Sequence, residues 1–163
     1  MTLPLRLCVR RTADEGQVLV TVRVPSHVDC IEEAVDLVTR HCLAGVTAPP
    51  RMRFRLQVAL SEALANAIIR GNREDSHKWV YVRAELGDQM INLHVTDEGD
   101  GFDPDTIPDA CRAEALLESS GRGLYLIRHL VDDVRFNDRG NSICMTLRRL
   151  GGGSTTSSAA SPG

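Results

Sequence analysis

The stretch "VALSEALANAIIRGN" places a carboxylate, an amide and a guanidinium at helical spacing. Glu62, Asn66 and Arg70 are four residues apart, so in a helix they lie in one row on one face. The other positions are apolar almost all round, which indicates a helix buried on most sides. The row is either the solvated edge of that helix or one wall of a site. Asparagine is a poor helix former that surface positions rarely need, so its presence favours the interpretation as one wall of a site.

A second cluster, "DEGDGFD", follows the alternating stretch "INLHV". Asp97 would stand where the chain leaves a strand, with its side chain free to face a pocket. Gly99 and Gly101 remove side chains, so that another group can approach the backbone. An acidic surface turn remains the alternative. A calcium loop is excluded, because placing Gly101 at its sixth position puts Thr96 first and Ile107 last, where carboxylates are needed.

The third cluster, "SSGRGLYLIRHLVDDV", puts Gly121 and Gly123 directly before a predicted helix over 123–133. Backbone N–H groups at the N-terminus of a helix have no partner within the helix and attract anions. Glycine before a helix is also common without any ligand. The three clusters therefore count most when they are taken together.

Periodicity predicts the elements that must position these residues. Strand 17–24 has its valines on one face and pairs with "RLCVR" as a hairpin, and Ser26 caps the first helix. That helix buries a row of apolar side chains, namely Val28, Ile31, Val35, Val38 and Cys42. The second helix covers about 51–70 and ends at Gly71 and Asn72. Strands follow near 78–86, 90–97, 134–138 and 142–149, with a short helix around "PDACRAEALLES".

This order of elements predicts an α+β fold. It is a two-layer α/β sandwich with a mixed, mainly antiparallel sheet and helices on one face. Residues 1–150 form one domain, and the Gly/Ser-rich segment 151–163 is a disordered tail.

Composition excludes several classes of protein. The 163 residues carry a net charge of -3 with no dense basic tract, so we expect no direct nucleic-acid binding. No apolar run spans a membrane and no export signal opens the chain, so we expect a cytoplasmic protein. Lys78, the only lysine, follows no glycine loop, which excludes a Walker phosphate loop. The five cysteines form no C-x-x-C pair that would suggest zinc or a redox dithiol.

In this order, the three clusters resemble the N box and the two glycine boxes of the GHKL ATPase superfamily. That superfamily includes topoisomerases, heat-shock chaperones, histidine kinases and mismatch-repair proteins, and the resemblance covers about 17–149. The segments "VPSHVDCIEEAVDLV" and "GRGLYLIRHLVDDV" most resemble the anti-sigma-factor serine-protein kinases of bacterial partner-switching systems.

The resemblance implies ATP and Mg²⁺ as cofactors and a role for each residue. Asp97 accepts a hydrogen bond from the adenine amino group, where guanine has a carbonyl. Asn66 ligates Mg²⁺, and Glu62 is the catalytic residue that orients or deprotonates the attacking hydroxyl. The remaining residues contact the nucleotide backbone or close over its phosphates: Gly99, Gly101, Gly121, Arg122 and Gly123.

The resemblance also implies an ATP-dependent serine-protein kinase and anti-sigma factor. It would bind a sigma factor and phosphorylate an anti-anti-sigma (STAS-domain) partner, as a homodimer formed through the N-terminal strands and first helix. The alternatives are a non-catalytic ATP-binding partner-switch module and a histidine-kinase-like ATPase domain that acts on another partner.

Two departures from the family pattern bear on these roles. Arg70 stands where many relatives carry His. In the last strand, "GNSICMTL" replaces a Gly-Thr-rich box, so Gly140, Asn141 and Ser142 are uncertain nucleotide contacts.

Overall fold

The computed structural model describes residues 4–11, 16–45, 47–103 and 119–149, and for 119–121 it describes the backbone alone. The elements are β1 (Arg6–Arg11), β2 (Val18–Pro25), α1 (Ile31–Cys42), α2 (Pro50–Ala65), β3 (Trp79–Leu86), β4 (Met90–Thr96), α3 (Ser119–Leu130), β5 (Asp133–Phe136) and β6 (Ser142–Arg148). A 3₁₀ turn, Val28–Cys30, precedes α1, and a π-helix, Asn66–Gly71, continues α2. The predicted short helix near 108–119 and the predicted tail lie outside the described residues.

The strands form one six-stranded sheet in the order β1-β2-β3-β4-β6-β5. Every pairing between described strands is antiparallel, which confirms the predicted mainly antiparallel sheet. Strand alternation sets its two faces. Val20, Val22 and Val24 are buried against the helices, while Thr21 and Arg23 lie on the opposite, open face.

The three helices cover one face of the sheet, with α2 between α1 and α3. Leu56, Leu60 and Leu64 recur every four residues along α2 and are fully buried. The π-helix extends this apolar row with Ile68, which is also fully buried. The predicted two-layer α+β architecture is confirmed, and the central helix carries Glu62 and continues into the π-helix at Asn66.

The predicted cap of the first helix is wrong. The Ser26 hydroxyl donates to the carbonyl of Lys78 at 2.7 Å, so it fastens β2 to the start of β3 instead. His27 caps the 3₁₀ turn that precedes α1, because its Nδ1 accepts the N–H of Asp29 at 3.2 Å, and α1 itself begins after Cys30, which makes no side-chain cap hydrogen bond. Val28, predicted to be on the apolar face, lies in this turn and is 39% exposed.

The described part of α3 already includes Ser119, four residues before the predicted start, and the helix ends at Leu130. Gly121 and Gly123 therefore lie inside its first two turns and not before it, which corrects the prediction. The end of α3 is set by the sheet, because the N–H of Asp132 donates to the carbonyl of Thr146 at 2.8 Å. The chain then continues directly into β5.

Candidate functional site

Glu62 and Asn66 lie directly beneath the backbone of α3. A Cβ placed on Gly123 would be 2.8 Å from Oε2 of Glu62 and 3.4 Å from Nδ2 of Asn66. Gly123 is buried, and both polar side chains are partly buried. This contact brings together two of the predicted clusters and argues against the solvated-edge alternative for Glu62 and Asn66.

Arg70, the third member of the predicted row, is exposed. The π-helix explains this, because its wider turn changes the direction of side chains after Asn66 relative to an α-helix. The row predicted from four-residue spacing therefore ends at Asn66. π-Helical turns are frequent at functional sites, where they redirect a side chain.

Asp97 follows β4 directly and is fixed by backbone contacts. Its Oδ1 accepts the N–H of Gly99 at 2.8 Å, and its own N–H donates to the carbonyl of Asn141 at 2.9 Å. The Asn141 amide returns a hydrogen bond from Nδ2 to the carbonyl of Asp97 at 3.0 Å. Asn141, which the sequence left as an uncertain nucleotide contact, therefore holds the backbone of Asp97.

The Asp97 carboxylate is partly buried, and its neighbours are main-chain groups. Burial raises the pKa of this carboxyl above its ordinary value, while the Gly99 N–H and the charges of Lys78 and Arg139 oppose that rise. A Cβ on Gly71 would collide with the carboxylate, so the end of the π-helix contacts Asp97 only because residue 71 is glycine.

The glycines of "DEGDGFD" permit close approach, but to the protein itself. A Cβ on Gly99 would collide with the carbonyl of Gly71, and one on Gly101 with the carbonyl of Arg139. Gly101 also has a φ of 76°, which favours glycine. Packing within the protein is enough to explain both glycines, and their contact with a nucleotide stays a prediction.

The π-helix connects the two parts of the candidate site. Asn66 is its first residue and lies beside Glu62 under α3, while Gly71 is its last and lies against Asp97. The acid-amide pair and the isolated carboxylate therefore flank one short helical segment. The predicted residues Gly121 and Arg122 lie in the first turn of α3, and Arg122 is exposed.

The donor set fits a magnesium ion that is shared with phosphates. Glu62 and Asn66 offer hard oxygen donors, and neither side chain has a hydrogen bond or ion pair within the described residues. In the same part of the chain, no group of three or more His, Cys, Asp or Glu residues is arranged to hold a metal. Mg²⁺ often takes only one or two protein ligands and completes its shell with water and phosphate.

A separate groove of about 460 Å³ lies on the open face of the sheet. Among its lining residues are Arg6, Arg23, Arg83 and His94. Ser142, one of the three uncertain nucleotide contacts, also lines it, whereas Glu62, Asn66 and Asp97 do not. We call this feature the open-face groove. It is on the side of the sheet away from the helices and shares no residue with the candidate site.

Comparison with known proteins identifies the family. Residues 24–147 match the model of the histidine kinase-like ATPase domain. The chain belongs to this family. The matched region of the ATPase domain contains all three clusters, and it extends from the end of β2 into β6. The predicted membership in the GHKL superfamily is therefore confirmed.

Individual relatives of this ATPase domain agree with the finer resemblance. The chain is 34% identical over 98 residues to "Serine-protein kinase RsbW" of Bacillus subtilis, covering 56% of this chain and 61% of that protein. It is 32% identical over 96 residues to "Anti-sigma F factor" of Oceanobacillus iheyensis, covering 56% and 66%. The chain thus spans less than two thirds of the length of these curated relatives. In the part of the ATPase domain that the structure describes, none of the helices combines the length and apolarity that a bilayer crossing requires.

Sequence reasoning missed two residues of this candidate site, Gly71 and Asn72. Both were interpreted only as the signal that ends a helix. Gly71 contacts the Asp97 carboxylate, and Asn72 has a fully buried side chain. A buried asparagine cannot be recognised from one sequence, because the same residue is common at exposed helix ends.

Proposed function

We propose that this chain is an ATP-dependent serine-protein kinase and anti-sigma factor. In this proposal it acts in the cytoplasm, binds a sigma factor and phosphorylates an anti-anti-sigma (STAS-domain) partner. Family membership and the names of the two relatives support this function. The single observation that carries it is the placement of Glu62 and Asn66 at one end of the π-helix and Asp97 at the other.

Asp97 would select adenine. The adenine amino group donates a hydrogen bond to a carboxylate oxygen, whereas guanine presents a carbonyl oxygen that the carboxylate repels. The Gly99 N–H occupies Oδ1 at 2.8 Å and holds the carboxylate in one orientation. The second oxygen of Asp97 is then the acceptor for the base.

Asn66 would hold the metal through its amide oxygen. When bound, Mg²⁺ would neutralise charge on the phosphates of ATP. The side chain lies under Gly123 and has no hydrogen bond to a described residue, so none within that part of the chain must break to bind the ion. Gly121, Arg122 and Gly123 would close over the phosphates, with Arg122 supplying positive charge.

Glu62 would act as the general base for a serine hydroxyl of the partner protein. As the serine oxygen forms its bond to the terminal phosphorus and the bond to the leaving diphosphate breaks, the hydroxyl proton passes to the Glu62 carboxylate. Glu62 lies one helical turn before Asn66, so the base and the metal ligand face the same space.

A homodimer through the N-terminal strands and first helix is part of this proposal. Leu7 and Val9 on the edge strand β1 are 39% and 44% exposed, on the side of the sheet that the helices cover elsewhere. Light scattering at tens of micromolar protein should give the mass of a dimer, and a monomeric mass would contradict this part.

The direct test is transfer of labelled phosphate. The full chain is incubated with radiolabelled ATP, Mg²⁺ and a candidate anti-anti-sigma protein, and the product is analysed for phosphoserine. Label on the partner supports the kinase. If ATP binds but the partner stays unlabelled, the non-catalytic module is favoured. Arg70, which stands where many relatives carry His, is the sequence feature that suggests this alternative.

A further inference from the structure

Asn72 is the first residue after the π-helix, and its side-chain amide is 0% exposed. Its Oδ1 accepts the N–H of Glu98 at 2.8 Å. Its Nδ2 donates to Oγ of Ser26 at 2.7 Å and to the carbonyl of Trp79 at 3.0 Å. One amide therefore connects Ser26 after β2, Trp79 at the start of β3, and Glu98 after Asp97.

Asn72 is linked to Asp97 from two directions. Glu98 is the next residue in the chain, so the Asn72 Oδ1 holds the peptide group that joins Asp97 to Glu98. On the other side, Gly71 precedes Asn72 and contacts the Asp97 carboxylate. The backbone N–H of Asn72 donates to the carbonyl of Ala67 at 2.8 Å and so closes the π-helix that begins at Asn66.

We propose that Asn72 is a positioning residue that fixes the orientation of Asp97 relative to the Glu62–Asn66 pair, and thereby the selectivity of the site for adenine over guanine. This role rests on the proposed function of an ATP site. Without the Asn72 amide, the N–H of Glu98 loses its acceptor. The peptide between Asp97 and Glu98 keeps only one described hydrogen bond, from Asn141 Nδ2 to the Asp97 carbonyl, so its orientation is less tightly fixed. The carboxylate then no longer faces the base in one fixed direction.

Ser26→Ala provides a matched structural control. The Ser26 hydroxyl receives one hydrogen bond from Asn72 and donates one to the Lys78 carbonyl, but it makes no described contact with Glu98 or Asp97. Its removal destabilises the same buried network and leaves the hydrogen bond from Glu98 to Asn72 intact. A general loss of packing would affect Asn72→Ala and Ser26→Ala in the same way.

The experiment measures dissociation constants of ATP and GTP for wild type, Asn72→Ala and Ser26→Ala, at a temperature where circular dichroism shows all three folded. We expect both variants to unfold at a lower temperature. Only Asn72→Ala should lower the ratio of the GTP to the ATP dissociation constant, by roughly tenfold, because it alone removes one of the two hydrogen bonds that hold the peptide beside Asp97. A wild-type ratio in Asn72→Ala, or an equal decrease in Ser26→Ala, would overturn the role of Asn72.

Hydrogen exchange of the wild-type chain tests the same role if Asn72→Ala does not fold. ATP should slow exchange of the Glu98 amide by roughly threefold or more, because the base reinforces the segment that Asn72 holds, and leave amides of the distant β1–β2 pair unchanged. Unchanged Glu98 exchange while ATP binds would overturn the role. A wild-type chain that binds no ATP would instead overturn the proposed function itself.

Discussion

The two ends of the candidate site are built differently. At the base end, the backbone of Asp97 pairs with Asn141, its carboxylate with Gly99, and the following peptide with Asn72. At the acid-amide end, Glu62 and Asn66 lie against Gly123 without a hydrogen bond or ion pair in the described chain. Described residues hold one end by hydrogen bonds, whereas the side-chain donors and acceptors at the other end make none to any described residue.

This difference corresponds to two proposed functions, selection of the base at one end and phosphate transfer at the other. Selecting a flat base requires an acceptor at a fixed place, and rigid hydrogen bonds supply it before binding. Binding a metal and removing a proton requires oxygen atoms that are not already engaged. Variants at the two ends should therefore change different quantities. Those at the base end should mainly change ATP affinity, and those at the acid-amide end should mainly change the rate of phosphate transfer.

The largest expected effect is that of Glu62→Gln on transfer. The amide cannot accept the serine proton, so the rate of phosphoserine formation should fall by about 100-fold or more, with little change in ATP affinity. Single-turnover transfer and equilibrium ATP binding measure the two quantities. Glu33→Gln, at an exposed position on α1, is the matched control and should behave as wild type. Transfer at the original rate in Glu62→Gln would refute the assigned base.

Asp97→Asn should change ATP affinity strongly and the rate of phosphate transfer only slightly, the reverse of Glu62→Gln. Loss of the charged acceptor should weaken ATP binding by roughly tenfold to a hundredfold, while transfer at saturating ATP changes by about threefold or less. Isothermal titration measures the affinity. Asp100→Asn, an exposed change in the same loop, should leave the affinity unaltered. If Asp97→Asn binds ATP as tightly as wild type, Asp97 does not belong to the adenine site.

The separation of the two ends could be predicted only in part from the sequence. The alternation of β2 and the four-residue spacing of Glu62 and Asn66 are local patterns, and the structure follows them. Ser26 carries the local signal of a helix cap, yet its hydroxyl binds Lys78, which is 52 residues away. Glycine is unfavourable in a helix, so the sequence predicts a later start for α3 than the structure has. Gly123 lies inside the helix because only glycine leaves room for Glu62 and Asn66 beneath it.

A smaller effect is expected from Gly123→Ala. The new methyl group would lie 2.8 Å from Oε2 of Glu62 and must displace that side chain. Transfer should fall by roughly fivefold to tenfold, because the base moves away from the attacking hydroxyl. Gly87→Ala, whose new methyl group meets only the Met90 carbonyl at 3.4 Å, is the control. A fully active Gly123→Ala would show that the contact with Glu62 does not matter for catalysis.

The smallest effect concerns stability and pH. Because the pKa of Asp97 is raised in the folded state, its contribution to stability is fully present below the unfolded-state pKa and is lost as pH rises through the folded-state pKa. The substituted side chain does not ionise, so Asp97→Asn does not lose stability in this way as pH rises. The stability of the variant minus that of wild type should therefore increase as pH rises from the unfolded-state pKa through the folded-state pKa of Asp97. Urea denaturation of both proteins at several pH values measures the difference. A difference that stays constant or decreases with rising pH would contradict the effect of burial.

The central claim is that Asp97 and the Glu62–Asn66 pair act on one nucleotide. A crystal structure of the full chain with Mg²⁺ and a non-hydrolysable ATP analogue tests it most directly. We predict the adenine amino group about 3 Å from the Asp97 carboxylate and the metal about 2.1 Å from Oδ1 of Asn66. An analogue bound in the open-face groove, or with its phosphates turned away from Glu62 and Asn66, would contradict the claim.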